Sequence, residues 1–280
     1  MVKINAYDIV IVGGGAAGIT VAARIRNRNS SLSIAIIEPS DKHYYQPLWT
    51  LVGAGVTHFS ATEKEESSLI PPGVTWLKDF VTGFEPESNQ VRTHLLGTVG
   101  YKYLVVCPGI QIDWDKVEGL SESLGTNGVC SNYSKATVGR TWDFIQNFKG
   151  GTAIFTFPNT PIKCAGAPQK IMYLAEHFFR KQGIRDRAQI VFVSAVGKIF
   201  AVEKYANALS QIIKERNIKT IFGHNLEKVD GANKQAWFRN LQTNELQALD
   251  FDLLHVAPPM SAPDFIQHSP LADRAGWVEV

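Results

Sequence analysis

Gly13, Gly15 and Gly18 form a G-x-G-x-x-G pattern directly after an apolar run, residues 7–12, and at the head of a helical stretch, residues 17–28. A short run rich in Ile and Val reads as a strand buried on both faces. Residues 33–37 read as a second such strand, which makes a right-handed strand–helix–strand unit. In that setting Gly13 permits the tight turn, Gly15 lets the backbone approach a pyrophosphate, and Gly18 lets the helix pack closely on the strand. The helix N-terminus offers free N–H groups and a positive dipole end to the pyrophosphate. Glu38 follows Gly18 by 20 positions, at the end of the second strand. A carboxylate there accepts hydrogen bonds from an adenosine ribose and repels a 2′-phosphate. A dinucleotide is implied, and FAD and NAD both satisfy this motif.

Composition removes several function classes. Hydrophobic residues make up 45% of the 280, enough for sizeable cores and too many for a disordered chain. The net charge is +2 with no basic block, so nucleic acid is not an expected partner. The uncharged stretch at residues 9–23 is too short and glycine-rich to span a bilayer. A strand begins almost at once after Met1, and the expectation is a chain with no signal or transit peptide. The His, Cys, Asp and Glu residues show no metal-ligand spacing, and the expected metal content is none.

Short strands follow at residues 74–77, 80–84, 90–95 and 101–106, broken by Gly83, Glu85-Pro86 and Gly97. They predict a small antiparallel sheet inserted into the parallel fold, with 101–106 returning to the main sheet. Gly150-Gly151 reads as a boundary. Beyond it, strand 152–157, helix 168–182, strand 189–194, helix 204–217 and strand 219–222 start a second α/β pattern, with a hairpin from 234–238 and 245–250 and a buried strand within 251–257. The expected fold is α/β: two tandem Rossmann-like dinucleotide-binding domains with a small antiparallel β insertion. Residues 1–149 form the first domain, 150–260 the second, and 261–280 return toward the first.

The second half carries no glycine loop. Strand 152–157 runs instead into Pro158-Asn159-Thr160-Pro161-Ile162-Lys163-Cys164-Ala165-Gly166-Ala167-Pro168. Prolines remove backbone donors that a pyrophosphate would use. Cys164 precedes a helix and lies near Lys163 and Lys170, a setting that favours a nucleophilic thiolate. Three cysteines are too few for a disulfide scaffold. Cys107 reads as a packed residue at a strand end, and Cys130 as an incidental residue of a surface loop. The aromatic run at residues 43–49 serves equally well as a cofactor cover or as core.

These residues together resemble the mitochondrial-type sulfide:quinone oxidoreductases, within the two-dinucleotide-domain flavoproteins. The most specific matches are Tyr45-Gln46-Pro47-Leu48-Trp49 through Gly55, and Phe155 through Lys170 around Cys164. The resemblance implies FAD in the first site, with Ala16 and Ala17 in the pyrophosphate loop and Glu38 on the ribose. It places Gln46 near the flavin, the backbone of Val81 at the adenine and Pro108-Gly109 in a turn beside the cofactor. It implies oxidation of hydrogen sulfide. Two cysteines form a bridge, hydrosulfide attacks one sulfur and leaves a persulfide, and the electrons pass through the flavin to quinone. The sulfane sulfur goes to a small acceptor such as glutathione or sulfite. Cys164 matches the persulfide carrier. The implied location is the mitochondrial inner membrane, with peripheral attachment.

In the family, a C-terminal third supplies the second cysteine, a Gly-Asp segment over FAD, the quinone pocket and the membrane-seating helices. These have no counterpart before Val280, and neither Cys107 nor Cys130 matches the second cysteine. The expectation is a C-terminally truncated portion that is inactive or partial by itself. Two alternatives stand beside it. A type II NADH:quinone reductase would need a second glycine loop and no Cys164. A non-catalytic FAD-binding fragment would fit the single redox cysteine.

Overall fold

In the computed structural model, which describes residues 5–279, strand β1 (Asn5–Val12) lies inside a six-stranded sheet. It leads into helix α1 (Ala16–Arg28) and then β2 (Ile34–Ile37). The sheet is completed by β3 (Thr75–Leu77), β4 (Val81–Glu85), β5 (Gln90–Thr93) and β6 (Thr98–Val106), in the order β3-β2-β1-β6-β5-β4. Strands β1, β2, β3 and β6 run parallel, and β5 and β4 continue antiparallel from β6. The antiparallel strands therefore extend the main sheet through the nine-residue β6. The strand expected at 74–77 is not one of them: it pairs parallel with β2 at the opposite edge.

Alternation along β1 assigns its two faces. Ile9 and Ile11 pack with Ala22, Ile34 and Ile36, while Val10 and Val12 pack with Ile37, Val81, Phe84 and Ile266. The second set draws on Ser261–Val280, which groups with Met1–Tyr45 and Thr62–Gln111 in one compact unit. The register aligns Val12 with Ile37 on one side and Val106 on the other. The residues that follow these three, Gly13, Glu38 and Cys107, thus emerge together at the carboxyl ends of the parallel strands. Ligands of open α/β sheets bind at such a switch point.

The other compact unit comprises Gln46–Ala61 and Ile112–Met260. It begins well before the expected boundary at Gly150, and residues 112–149 pack within it. Its sheet is parallel, built from β7 (Val129–Cys130), β8 (Gly151–Phe157), β9 (Ala188–Ser194), β10 (Lys219–Phe222) and the later β14 (Leu253–His255), in the order β7-β14-β8-β9-β10. Helices α2 (Val138–Asn147), α3 (Ala167–Lys181) and α4 (Glu203–Glu215) complete the layers. One core gathers Cys130, Phe155, Phe179 and Phe192, and the other Ile154, Val191, Leu254 and Phe238. The expected hairpin becomes a three-stranded sheet, because β11 (His224–Asp230) pairs with β12 (Gln235–Asn240), which pairs with β13 (Leu246–Asp250). Neither β11 nor α2 was expected. Glu176 on α3 is fully buried and is held by Arg180 at 2.6 Å and Arg216 at 2.7 Å, which fixes the helix that follows Cys164.

Candidate functional site

The glycine loop of the first unit divides its glycines by task. Gly13 has φ +99°, and a β-carbon there would stand 2.2 Å from the carbonyl oxygen of Cys107. A β-carbon on Gly18 would stand 1.9 Å from the carbonyl oxygen of Gly13. Both crowding partners are backbone, so these positions admit only glycine. Gly15 has nothing within 4 Å of that point, and Gly15, Ala16 and Ala17 are exposed at the head of α1. Glu38 is oriented by the loop itself: Oε2 accepts the Gly14 N–H and Oε1 accepts the Ser40 N–H, each at 2.8 Å. The Trp76 indole N–H donates to the Glu38 carbonyl at 2.8 Å. Open space over Gly15, a helix N-terminus and a held carboxylate fit the pyrophosphate and ribose of a dinucleotide. Gly109 has φ +78° and open space about it, next to the Cys107-Pro108 backbone that backs Gly13. Val81 opens β4 in register with Thr93, and its side chain shares the core of Val12 and Ile37.

Sequence reasoning missed Glu66 in this unit. It is buried against the loop, and a β-carbon on Gly14 would stand 2.5 Å from its Oε1 and 2.7 Å from Glu38 Cγ. Burial and the neighbouring Glu38 push its acid up to about 7. No motif marks it, because its place depends on the turn after strand Glu63–Glu65 rather than on spacing from the glycines.

In the second unit Cys164 lies on the loop between β8 and α3. It is exposed and sits in the left-handed region, φ +59°. Its carbonyl accepts the Ala167 N–H at 2.9 Å, and the Lys170 ammonium lies 3.6 Å from its sulfur. The backbone N–H of Lys163 donates to Met260 Sδ at 3.2 Å, and its ammonium donates to Gln46 Oε1. Desolvation lowers the Lys163 ammonium below its ordinary value. The structure thus brings Gln46, Lys163, Cys164 and Lys170 together, around a cavity of about 100 Å³ that Trp49, Asn132 and Tyr133 also line.

Asn132 and Tyr133 were not anticipated. Both amide atoms of Asn132 and the Tyr133 hydroxyl are buried without hydrogen-bond partners. The backbone N–H of Asn132 donates to His255 Nε2 at 3.1 Å. Gly53 makes room for Asn132, since a β-carbon there would meet its Oδ1 at 2.1 Å. These two residues follow β7 in an irregular segment, where no periodicity signals a site.

The segment 43–49 divides. His43 and Tyr44 belong to a short strand, Lys42–Tyr44, while Gln46 reaches the Cys164 cavity and Trp49 is buried and stacks with Phe59. Cys130 corrects the expectation of a surface loop. It is fully buried in β7, and burial pushes its thiol up to about 12. Cys107 is half-buried, and burial raises its thiol too.

Residues 7–139 match the family of pyridine nucleotide-disulphide oxidoreductases. A mitochondrial sulfide:quinone oxidoreductase of Mus musculus is 48% identical over 277 residues, covering 99% of this chain and 62% of that protein. The chain is a relative of the mitochondrial sulfide:quinone oxidoreductases. Another, from Dictyostelium discoideum, is 47% identical over 279 residues, covering 99% of this chain and 61% of its own length. The chain therefore spans about three-fifths of the length of these curated relatives. The crystal structure of the sulfide:quinone oxidoreductase of Aquifex aeolicus superposes with a TM-score of 0.78 at 17% identity, over 94% of this chain and 60% of that one. That likeness establishes the shared two-unit α/β fold.

Proposed function

We propose that this chain carries the FAD-binding and persulfide-carrying parts of a sulfide:quinone oxidoreductase. The observation that carries the reading is Cys164: an exposed thiol on a proline-rich loop, beside Lys170 and next to buried polar groups without partners, where a second glycine loop would otherwise stand. The relatives' names support the same activity and a mitochondrial location.

In this reading Gly13, Gly15, Ala16, Ala17 and Gly18 hold the FAD pyrophosphate, and Glu38 accepts from the ribose hydroxyls. The backbone of Val81 would serve the adenine, and the turn at Gly109 would stand beside the cofactor. FAD, when bound, would supply the two-electron acceptor that links sulfur oxidation to a quinone. Cys164 does the sulfur chemistry. As one half of a disulfide with a second cysteine, its sulfur is attacked by hydrosulfide. The S–S bond breaks, the electron pair leaves on the second cysteine's thiolate, and Cys164 is left as a persulfide. A small nucleophile such as glutathione or sulfite then removes the terminal sulfur. Lys163 and Lys170 supply positive charge that draws these anions to the loop. Cys130 is excluded as the second sulfur by its complete burial. Among the described residues no helix is long and apolar enough to cross a membrane, and the proposed attachment to the inner membrane is peripheral.

The test is sulfur transfer together with flavin content. The purified chain, supplied with FAD, should hold the flavin and take no NADH tightly. Incubated with inorganic polysulfide, it should gain one sulfur at Cys164 by peptide mass spectrometry, and Cys164→Ser should lose that sulfur while keeping the flavin. Equal sulfur uptake at Cys107, or tight NADH binding without flavin, overturns the reading.

A further inference from the structure

The glycine loop is faced by two carboxyl groups. Both oxygens of Glu38 accept backbone N–H groups, from Gly14 and Ser40. Glu66 arrives from a different segment, tied down by its own N–H to the Asp41 carbonyl at 2.9 Å. Its side chain is 1% exposed. One oxygen, Oε2, lies 3.4 Å from His43 Nδ1. The other, Oε1, is buried with no hydrogen-bond partner and is directed at the loop, 2.5 Å from where a Gly14 β-carbon would be. Two carboxyls sharing a poorly solvated site do not both ionise. Glu38 has backbone donors on both oxygens, whereas Glu66 Oε1 has none, and burial beside Glu38 raises the Glu66 acid.

We propose that Glu66 is a proton-gated positioning residue for the dinucleotide: protonated, it leaves Glu38 as the single anion at the glycine loop, and ionised, it sets a second negative charge against the pyrophosphate and weakens binding. The proposal rests on the dinucleotide reading of this loop. Because Glu66 titrates near 7, the change falls in the neutral range. The other groups around it are Glu38, His43, and the exposed Lys42, which pairs with Glu63 at 3.0 Å and Glu65 at 2.5 Å and turns its charge to them. A protonated His43 would favour the Glu66 anion, so His43→Gln serves as the control.

Two readouts test this on the 280-residue chain. The first is FAD affinity from about pH 6 to about pH 8.5, which should fall in the wild type by up to about tenfold per pH unit above the Glu66 midpoint. Glu66→Gln should remove the fall, and His43→Gln should retain it. The second needs no dinucleotide. An acid whose folded pKa is raised contributes stability below its unfolded value, and that stability is lost as pH rises through the folded value. The melting temperature of the wild type should therefore drop relative to Glu66→Gln as pH rises from 4.5 to about 7. Carboxyl carbon NMR of the wild type reads the same proton directly, should Glu66→Gln not fold. Parallel pH profiles in wild type and Glu66→Gln, or no glutamate titrating near neutrality, overturn the proposal. Flavin binding absent at every pH, with the melting profiles still diverging, overturns the dinucleotide reading and with it the gating, while leaving the Glu66 proton in place.

Discussion

The Lys170 ammonium, on the first turns of α3, lies 3.6 Å from the sulfur of Cys164 on the preceding loop. The other two thiols have no such setting. Cys107 is half-buried, Cys130 fully so, and burial raises both. Only the thiolate attacks alkylating reagents, and a reagent must also reach it. Iodoacetamide at neutral pH should label Cys164 first, Cys107 more slowly and Cys130 only after unfolding, as followed by mass spectrometry of timed digests. Labelling of Cys107 at the rate of Cys164 would contradict this order.

The backbone at Cys164 carries a cost. A non-glycine residue at φ +59° occupies a region that only glycine adopts freely. Cys164→Gly should therefore exceed Cys164→Ser in stability by about 0.5–1 kcal/mol, measured as denaturant midpoints at equal slope. Equal midpoints would mean that the loop relaxes at no cost. Strain held at Cys164 fits the sulfur-carrying role proposed for it.

The two ends of the glycine motif should separate folding from binding. Gly18→Ala forces a β-carbon against the Gly13 carbonyl and should lower stability by about 1–3 kcal/mol. Gly15→Ala meets open space and should change stability by no more than about 0.5 kcal/mol, yet weaken FAD by occupying the pyrophosphate path. Thermal denaturation without FAD and flavin titration distinguish the two. Equal destabilisation by both substitutions would remove the distinction.

Acid sensitivity should trace in part to His255. It is fully buried, and desolvation lowers its pKa to about 3. Between the ordinary histidine value and that folded value, the unfolded chain binds the proton and the folded chain does not. Stability therefore falls as pH falls through this window, by about 1.4 kcal/mol per unit for one proton. His255→Gln keeps an acceptor for the Asn132 N–H and should show a shallower loss in urea titrations between about pH 6 and about pH 4. An unchanged slope would assign the acid loss to other groups.

Local chemistry sufficed to read the first strand–helix–strand, the glycine turn that opens α1, the place of Glu38 after β2 and the proline-rich loop that carries Cys164 into α3. Each depends on neighbours close in the chain: an apolar run, glycines at fixed offsets, prolines before a helix. Tertiary structure alone decided the rest. Thr75–Leu77 looked like its antiparallel neighbours because a strand's partner is set by which sheet edge is free, not by its own residues. Cys130 looked exposed because its burial comes from α2 and the distant strand Leu253–His255, which pairs beside it. Gln46 meets Lys163, and Asn132 meets Gly53 and His255, across separations that no local pattern encodes. Glu66 joins Glu38 at Gly14 in the same way. Backbone propensity and motif spacing act over a few residues, whereas the solvation and charge environment of a side chain is the sum of every element that packs around it.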